Sequence, residues 1–258
     1  MGAQLRAHLP HNPIGAENAT MGAMFQKILP FLNRNRYKLA IFGLMAGASL
    51  ICIMLVGARI TVSDSGRYAS LVWNLFLAWI PFLLAYAAYT LSWSRRWLYI
   101  AIPVTAFLWL IFFPNAPYIL TDLQHLARQS MDTPLWYDVI MLVWFSWTGL
   151  LLGLVSMYLM HEILQRTFNK TVGWSFVFIV SGLSSFGVYL GRFVRFNSWD
   201  ILQDPSEVAV TVLGLVIDPS LRMVAFTALF AVFYLFVYLT LYSFGHLLQE
   251  KENPVHVG

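Results

Sequence analysis

The chain has 258 residues, 59% of them hydrophobic and only 11% charged, against about 25% charged in an ordinary soluble domain. So few charges cannot cover a soluble protein of this size, and most of the surface must therefore meet an apolar medium. The formal net charge of +4 is dispersed among loops rather than gathered in one patch, so no nucleic-acid partner is expected.

In chain order, residues 1–36 read as a cytoplasmic N-terminal tail, partly disordered, of which the part before Met21 is an extension or an over-long start. Six uncharged runs follow, at 39–58, 68–94, 97–121, 139–160, 171–191 and 223–245. Each is about 20 residues or longer, enough at about 1.5 Å per residue to cross a hydrocarbon core of about 30 Å. In lipid every backbone N–H and C=O needs a partner within the protein, which selects helices; a barrel would show shorter, alternating segments. The expected fold is all-α: a polytopic bundle of about six spanning helices over 37–247, with short interfacial or re-entrant helices on the non-cytoplasmic side and a cytoplasmic tail at 248–258. The first run is too long and too late for a cleaved signal and reads as an anchor that stays. Cys52, the one cysteine, excludes an intrachain disulfide and reads as a small apolar filler.

Alternating connections give the orientation. One side collects ten of the 16 basic residues against four acidic ones, including the Arg95-Arg96 turn between two tryptophans. The positive-inside rule makes that side cytoplasmic, with both termini on it and the protein multi-pass in the cell membrane. The specific polar residues then fall on the other side, where two connections are long. His161 and Glu162 fall on the cytoplasmic side and read as ordinary boundary residues.

Asn74 is a polar side chain in the second run and is expected to bond another helix. After the third run, Pro114 and Pro117 cannot both lie in an unbroken helix interior. The helix is expected to end or kink at Pro114, with Asn115 as an N-cap and Pro117 in the first turn of a new short helix. On that helix Tyr118, Asp122 and His125 share a face, with Thr121 beside them. A carboxylate and an imidazole three apart serve as an acid–base pair or as two ligands of a metal, and the helix start favours an anion. A hydrogen-bonded pair on an interfacial helix is the equally plain alternative. Asp138 either adds a carboxylate to this cluster or ends a loop.

After the fifth run, Ser185, Tyr189 and Arg192 are placed on one face, extended by Arg195 and Trp199, with Gly182, Gly187 and Gly191 allowing close helix approach. A guanidinium at the membrane boundary needs an anionic partner or a route to the headgroups. The alternatives for Arg192 are an anionic ligand and an internal ion pair with Asp122 or Asp200. Asp204-Pro205-Ser206-Glu207 resembles a helix start, and the apolar stretch after it is too short to span. No Walker loop, dinucleotide fingerprint, nucleophile elbow or zinc-protease motif is present, and no cofactor is implied.

Three sets of residues, Trp73-Asn74-Leu75 with Pro81, Phe113-Pro114-Asn115-Ala116-Pro117-Tyr118 through Thr121-Asp122-Leu123 and His125, and Tyr189-Leu190-Gly191-Arg192-Phe193 through Asn197-Ser198-Trp199-Asp200, resemble the signature of a bacterial membrane-protein family catalogued as domain of unknown function 1361. The resemblance covers residues 68–205. It implies a bacterial multi-pass membrane protein and supplies no activity.

Three functions are compatible with these residues. The first is a non-cytoplasmic site for an anionic lipid or lipid-linked substrate, with Asp122 and His125 in acid–base or metal chemistry and Asn74, Asn115, Tyr118, Arg192, Arg195, Asn197 and Asp200 binding it. The second is a transporter or flippase, for which the broken third helix speaks and the lack of mid-span charges speaks against. The third is a non-catalytic subunit with Arg192 paired internally.

Overall fold

The computed structural model describes residues 13–92, 101–128 and 133–252. The chain divides into two units, Met1–Gly47 and Ala48–Gly258. Helix α1 covers Pro13–Ser63, starting well ahead of the first apolar run. The candidate site described below lies wholly in the second unit.

Six helical segments are long and apolar enough to cross a membrane: Lys38–Ser63, Ala69–Leu91, Ile102–Leu126, Leu135–Thr167, Lys170–Val194 and Leu221–Leu247. They coincide with the six uncharged runs, and no strand occurs among the described residues. The helical membrane fold expected from composition is therefore the one observed. The Arg95-Arg96 turn that anchored the orientation lies outside the described residues.

Helix α2 (Ala69–Leu91) carries Pro81 in its interior. A proline there removes one backbone donor and displaces the preceding turn, which neighbouring polar side chains in a membrane bundle can offset. Here Ser156 Oγ donates to the Pro81 carbonyl at 3.3 Å and accepts from Trp109 Nε1. One buried hydroxyl thus ties α2 to α3 (Ala101–Phe112) and to α5 (Leu135–Thr167).

Helix α3 ends at Phe112, and after a turn at Phe113-Pro114 the short helix α4 (Asn115–Tyr118) begins, followed by a 3-10 segment, Ile119–Arg128. The break at Pro114 is the expected one, and Pro117 lies in the new first turn. Asn115 departs from expectation. The N-cap is Pro114, and Asn115 is already helical. Its amide turns back to the Phe112 carbonyl at 2.8 Å, bridging the elbow from inside.

Helix α5 is the innermost, with 61% of its apolar window buried against 11% for the last helix. It buries Ser146, Gly149, Gly153 and Ser156 along with its leucines and methionines. Helix α6 (Lys170–Tyr189) starts at Asn169, whose side chain accepts the Val172 N–H at 2.8 Å, a conventional N-cap. It widens into a π-helical turn at Leu190–Val194 and stops at Arg195, whose φ of 72° puts it in the left-handed region. The N–H of Arg195 closes that end on the Leu190 carbonyl at 2.8 Å. Helices α7 (Asp200–Gln203) and α8 (Pro205–Ile217) follow.

The start of α8 is as its sequence suggests: Asp204 accepts from the Glu207 N–H at 3.1 Å, with proline in the first turn. Bonds from the Ser206 hydroxyl and that N–H hold the exposed Asp204 carboxyl below its usual range. At 13 residues, α8 is about 20 Å long and falls short of a hydrocarbon core. Helix α9 (Leu221–Glu252) packs on α6 and exposes most of its apolar side chains, as a lipid-facing helix does.

Candidate functional site

The elbow between α3 and α4 exists because two pairs of glycines leave room for it. On α5, a Cβ added at Gly149 would lie 2.9 Å from the Ala116 carbonyl, and one at Gly153 would lie 3.1 Å from Ala116 Cβ. On the other flank, a Cβ at Gly187 would lie 2.6 Å from Pro114 Cγ, and one at Gly191 would lie 3.2 Å from the Tyr118 ring. Each pair is spaced G-x-x-x-G, the spacing that lets membrane helices approach closely. Gly187 and Gly191 were expected to serve this way. Gly182 does not, since nothing lies within 4 Å of the place its Cβ would take. Gly149 and Gly153 sit in an ordinary-looking leucine run, and only the spacing itself could have marked them.

The elbow presents Asp122 to α2 and to the end of α6. Asp122 is 1% exposed. Arg192 Nη2 donates to its Oδ1 at 2.5 Å, and Asn74 Nδ2 donates to its Oδ2 at 2.8 Å. Arg192 Nε donates to Thr121 Oγ1 at 2.8 Å, and its guanidinium lies 4.2 Å from the Tyr118 ring centroid. Of the two partners suggested for Arg192, the observed one is Asp122. Asp200 accepts instead from the Asn197 N–H at 2.7 Å, closing the turn that precedes α7. Burial of such a pair is tolerable because carboxylate and guanidinium are both met by further polar groups.

His125 is 37% exposed, and its Nε2 stands 3.6 Å from Asp122 Oδ1, beyond hydrogen-bond reach. The i, i+3 spacing brings the imidazole and the carboxylate close because 3-10 geometry stacks such residues. The expected single face for Ser185, Tyr189 and Arg192 is divided. Ser185 bonds back to the Ser181 carbonyl, Tyr189 packs on Phe193 and Phe226, and Arg192 turns to Tyr118 and Asp122. The π-turn at Leu190–Val194, which adds a residue to the helical period, turns Arg192 away from the other two. The Arg195 side chain is exposed, and only its backbone N–H is hydrogen-bonded among the described residues.

Beside the ion pair lies a cavity of about 140 Å³, lined by Asn74, Asn115, Tyr118, Asn197, Ser198 and Trp73 together with apolar residues that include Val208 of α8. Three segments separated by long stretches of sequence meet here. Asn115 Nδ2 donates to Ser198 Oγ at 2.8 Å, and Ser198 in turn donates to the Ile111 carbonyl at 3.1 Å. Trp73 meets Trp199 edge-on at 6.2 Å between ring centroids. Of the residues singled out by sequence, Asn74, Asn115, Tyr118, Asp122, Arg192 and Asn197 are thus brought together, with His125 and Asp200 one contact away. Among the described residues no group of three or more His, Cys, Asp or Glu side chains is placed to hold a metal ion.

Two further polar clusters escaped the sequence. Arg59 Nε donates to Asp138 Oδ1 at 2.7 Å, both residues 1% exposed, and Tyr68 Oη donates to Asp138 Oδ2 at 3.3 Å. Asp138 therefore belongs to a separate ion pair and not to the Asp122 cluster. At the other end of the bundle His161 is 1% exposed, with Nδ1 2.7 Å from Tyr238 Oη and Nε2 2.6 Å from Gln165 Nε2, and Trp174 edge-on to its ring. It is a buried, bonded core histidine and no boundary residue.

The family described as "Protein of unknown function (DUF1361)" matches residues 73–239. This span starts at Trp73 on the cavity wall and runs beyond α8 into α9, so it takes in both arms of the site. No curated protein and no solved structure matches the chain.

Proposed function

The chain belongs to the DUF1361 family, and we propose that it binds a membrane-borne ligand, lipid or lipid-linked, by its headgroup at the elbow end of the bundle. The observation that carries this reading is the cavity of about 140 Å³, walled by asparagine amides and aromatic rings and flanked by a locked ion pair. Sites for small ligands combine an apolar wall with a few placed polar groups in this way. The Asp122–Arg192 pair, with Asn74 and Thr121, fixes the relative positions of α2, the 3-10 segment and the end of α6, and so holds the cavity open. On the orientation drawn from basic residues, this end faces the non-cytoplasmic leaflet.

A second reading, a non-catalytic subunit, is favoured by one observation: both oxygens of Asp122 are already taken by the protein. Proton transfer by Asp122 would require Arg192 or Asn74 to withdraw from one of these oxygens.

Val208 lines the cavity from α8, whereas Val210 on the same helix is 71% exposed. Protein extracted together with its surrounding lipid in polymer nanodiscs is expected to retain a lipid class that Val208→Phe loses and Val210→Phe keeps. Identical lipid profiles for the three proteins would contradict ligand binding here and leave the subunit reading.

A further inference from the structure

The asparagines that line the cavity point to the chemistry of what it takes. An amide side chain is ambiguous until its partners are known, because oxygen and nitrogen look alike. Here the partners decide. Asn74 faces the Asp122 carboxylate and Asn115 faces the Phe112 carbonyl, groups that only accept, so each must present its NH2. Asn197 presents its amide nitrogen to the Asp200 carboxylate at a longer 3.5 Å. Asn115 commits both N–H groups to the protein, Asn74 and Asn197 commit one each and keep the other, and the carbonyl Oδ1 of all three accepts no hydrogen bond from any described residue. The cavity wall consequently offers three amide oxygens as acceptors and a smaller number of free N–H donors.

An occupant that displaces water from these oxygens must supply donors in its place, since leaving such groups unmet costs about 1–3 kcal/mol each. A phosphate or carboxylate has none to give and would meet amide oxygens. An ammonium has donors but finds no free carboxylate, because Asp122 is already paired, and the Tyr118 face is already covered by the Arg192 guanidinium at 4.2 Å. A neutral, hydroxyl-bearing group satisfies both conditions. Size agrees: at about 140 Å³ the space is close to the cavity of about 150 Å³ that accepts one six-membered ring. Trp73 on the wall offers an apolar face for the C–H side of such a ring.

We infer that the cavity takes a neutral polyhydroxylated ring, a single glycosyl headgroup, rather than a phosphate or an amine. This rests on the membrane-ligand reading above, the ring being carried by a lipid.

The test uses the full chain in phosphatidylcholine nanodiscs doped with equal amounts of monoglucosyl diacylglycerol and phosphatidic acid, with bound lipid read by native mass spectrometry. The wild type is expected to favour the glucosyl lipid over both others by about tenfold, the effect of one or two hydrogen bonds. That preference is expected to vanish in Asn115→Ala and in Val208→Phe, the second of which leaves every asparagine in place. Phosphatidic acid favoured in a manner lost in Val208→Phe would overturn the glycosyl assignment and keep the membrane-ligand reading. Equal retention of phosphatidylcholine and glucosyl lipid, lost in Val208→Phe, would do the same. Quenching of Trp fluorescence by free glucose, abolished in Val208→Phe and unaccompanied by glucosyl-lipid preference, would keep the sugar chemistry and overturn the lipid source. No adduct sensitive to Val208→Phe, and no such quenching, would overturn both.

Discussion

Arg59 and Asp138 lie within membrane-spanning helices, 1% exposed, and their effect on stability depends on keeping both. Removing one partner of a buried pair strands the other charge and costs about 3–5 kcal/mol, whereas replacing both by apolar residues of similar volume is often neutral. Asp138→Ala is therefore expected to lower the melting temperature of the detergent-solubilised protein sharply, and Arg59→Met with Asp138→Leu to recover most of the loss. A double variant as unstable as the single one would show that Tyr68, which also donates to Asp138, carries the interaction. These two residues also explain why two helices run beyond the uncharged runs. Charge marks a membrane boundary only when it faces water or headgroups. Arg59 and Asp138 neutralise one another inside the bundle, so helices α1 and α5 continue past them.

At the scale of elements, the elbow between α3 and α4 is held between Gly149 and Gly153 on one side and Gly187 and Gly191 on the other. A methyl group at Gly149 would press on the backbone oxygen of Ala116, which cannot swing away as a side chain tip can. Overpacking of this kind costs about 1–3 kcal/mol. Gly149→Ala is expected to be destabilised by that amount in thermal unfolding, and Gly182→Ala, which points into open space, to behave as wild type. Equal effects from the two would mean that helix propensity and not the clamp governs these positions. Much of this level was legible. Six apolar runs gave six spanning helices, Pro114 gave the elbow, and Asp204-Pro205 gave the start of α8. What escaped was local: the 3-10 continuation after Tyr118 and the π-turn at Leu190–Val194. Asp122 lies in the first and Arg192 in the second, and their pairing across the bundle is a tertiary contact that no local pattern encodes.

For the whole molecule, the polar residues of three distant segments converge because the elbow, the π-turn and the short helices α7 and α8 all lie at one end of the bundle. Sequence could name Asn74, Asn115, Tyr118, Asp122, Arg192 and Asn197, since each is a polar residue where apolar ones are the rule. It could not divide them into the ion pair that builds the site and the amides that line it, because that division depends on which partner each atom finds. His161 was passed over for a related reason: its position near a helix end suggested solvent, but Tyr238, Gln165 and Trp174 enclose it. The most direct measurement of ligand binding is to irradiate the full chain in nanodiscs containing a glucosyl lipid with a diazirine on its headgroup, then map the adducts by peptide sequencing. Adducts concentrated on the peptides bearing Trp73, Tyr118 and residues 196–201 are the result expected. Adducts confined to the exposed apolar surface of α9, around Phe236, Phe244 and Leu247, would contradict it and reduce the cavity to a feature of packing.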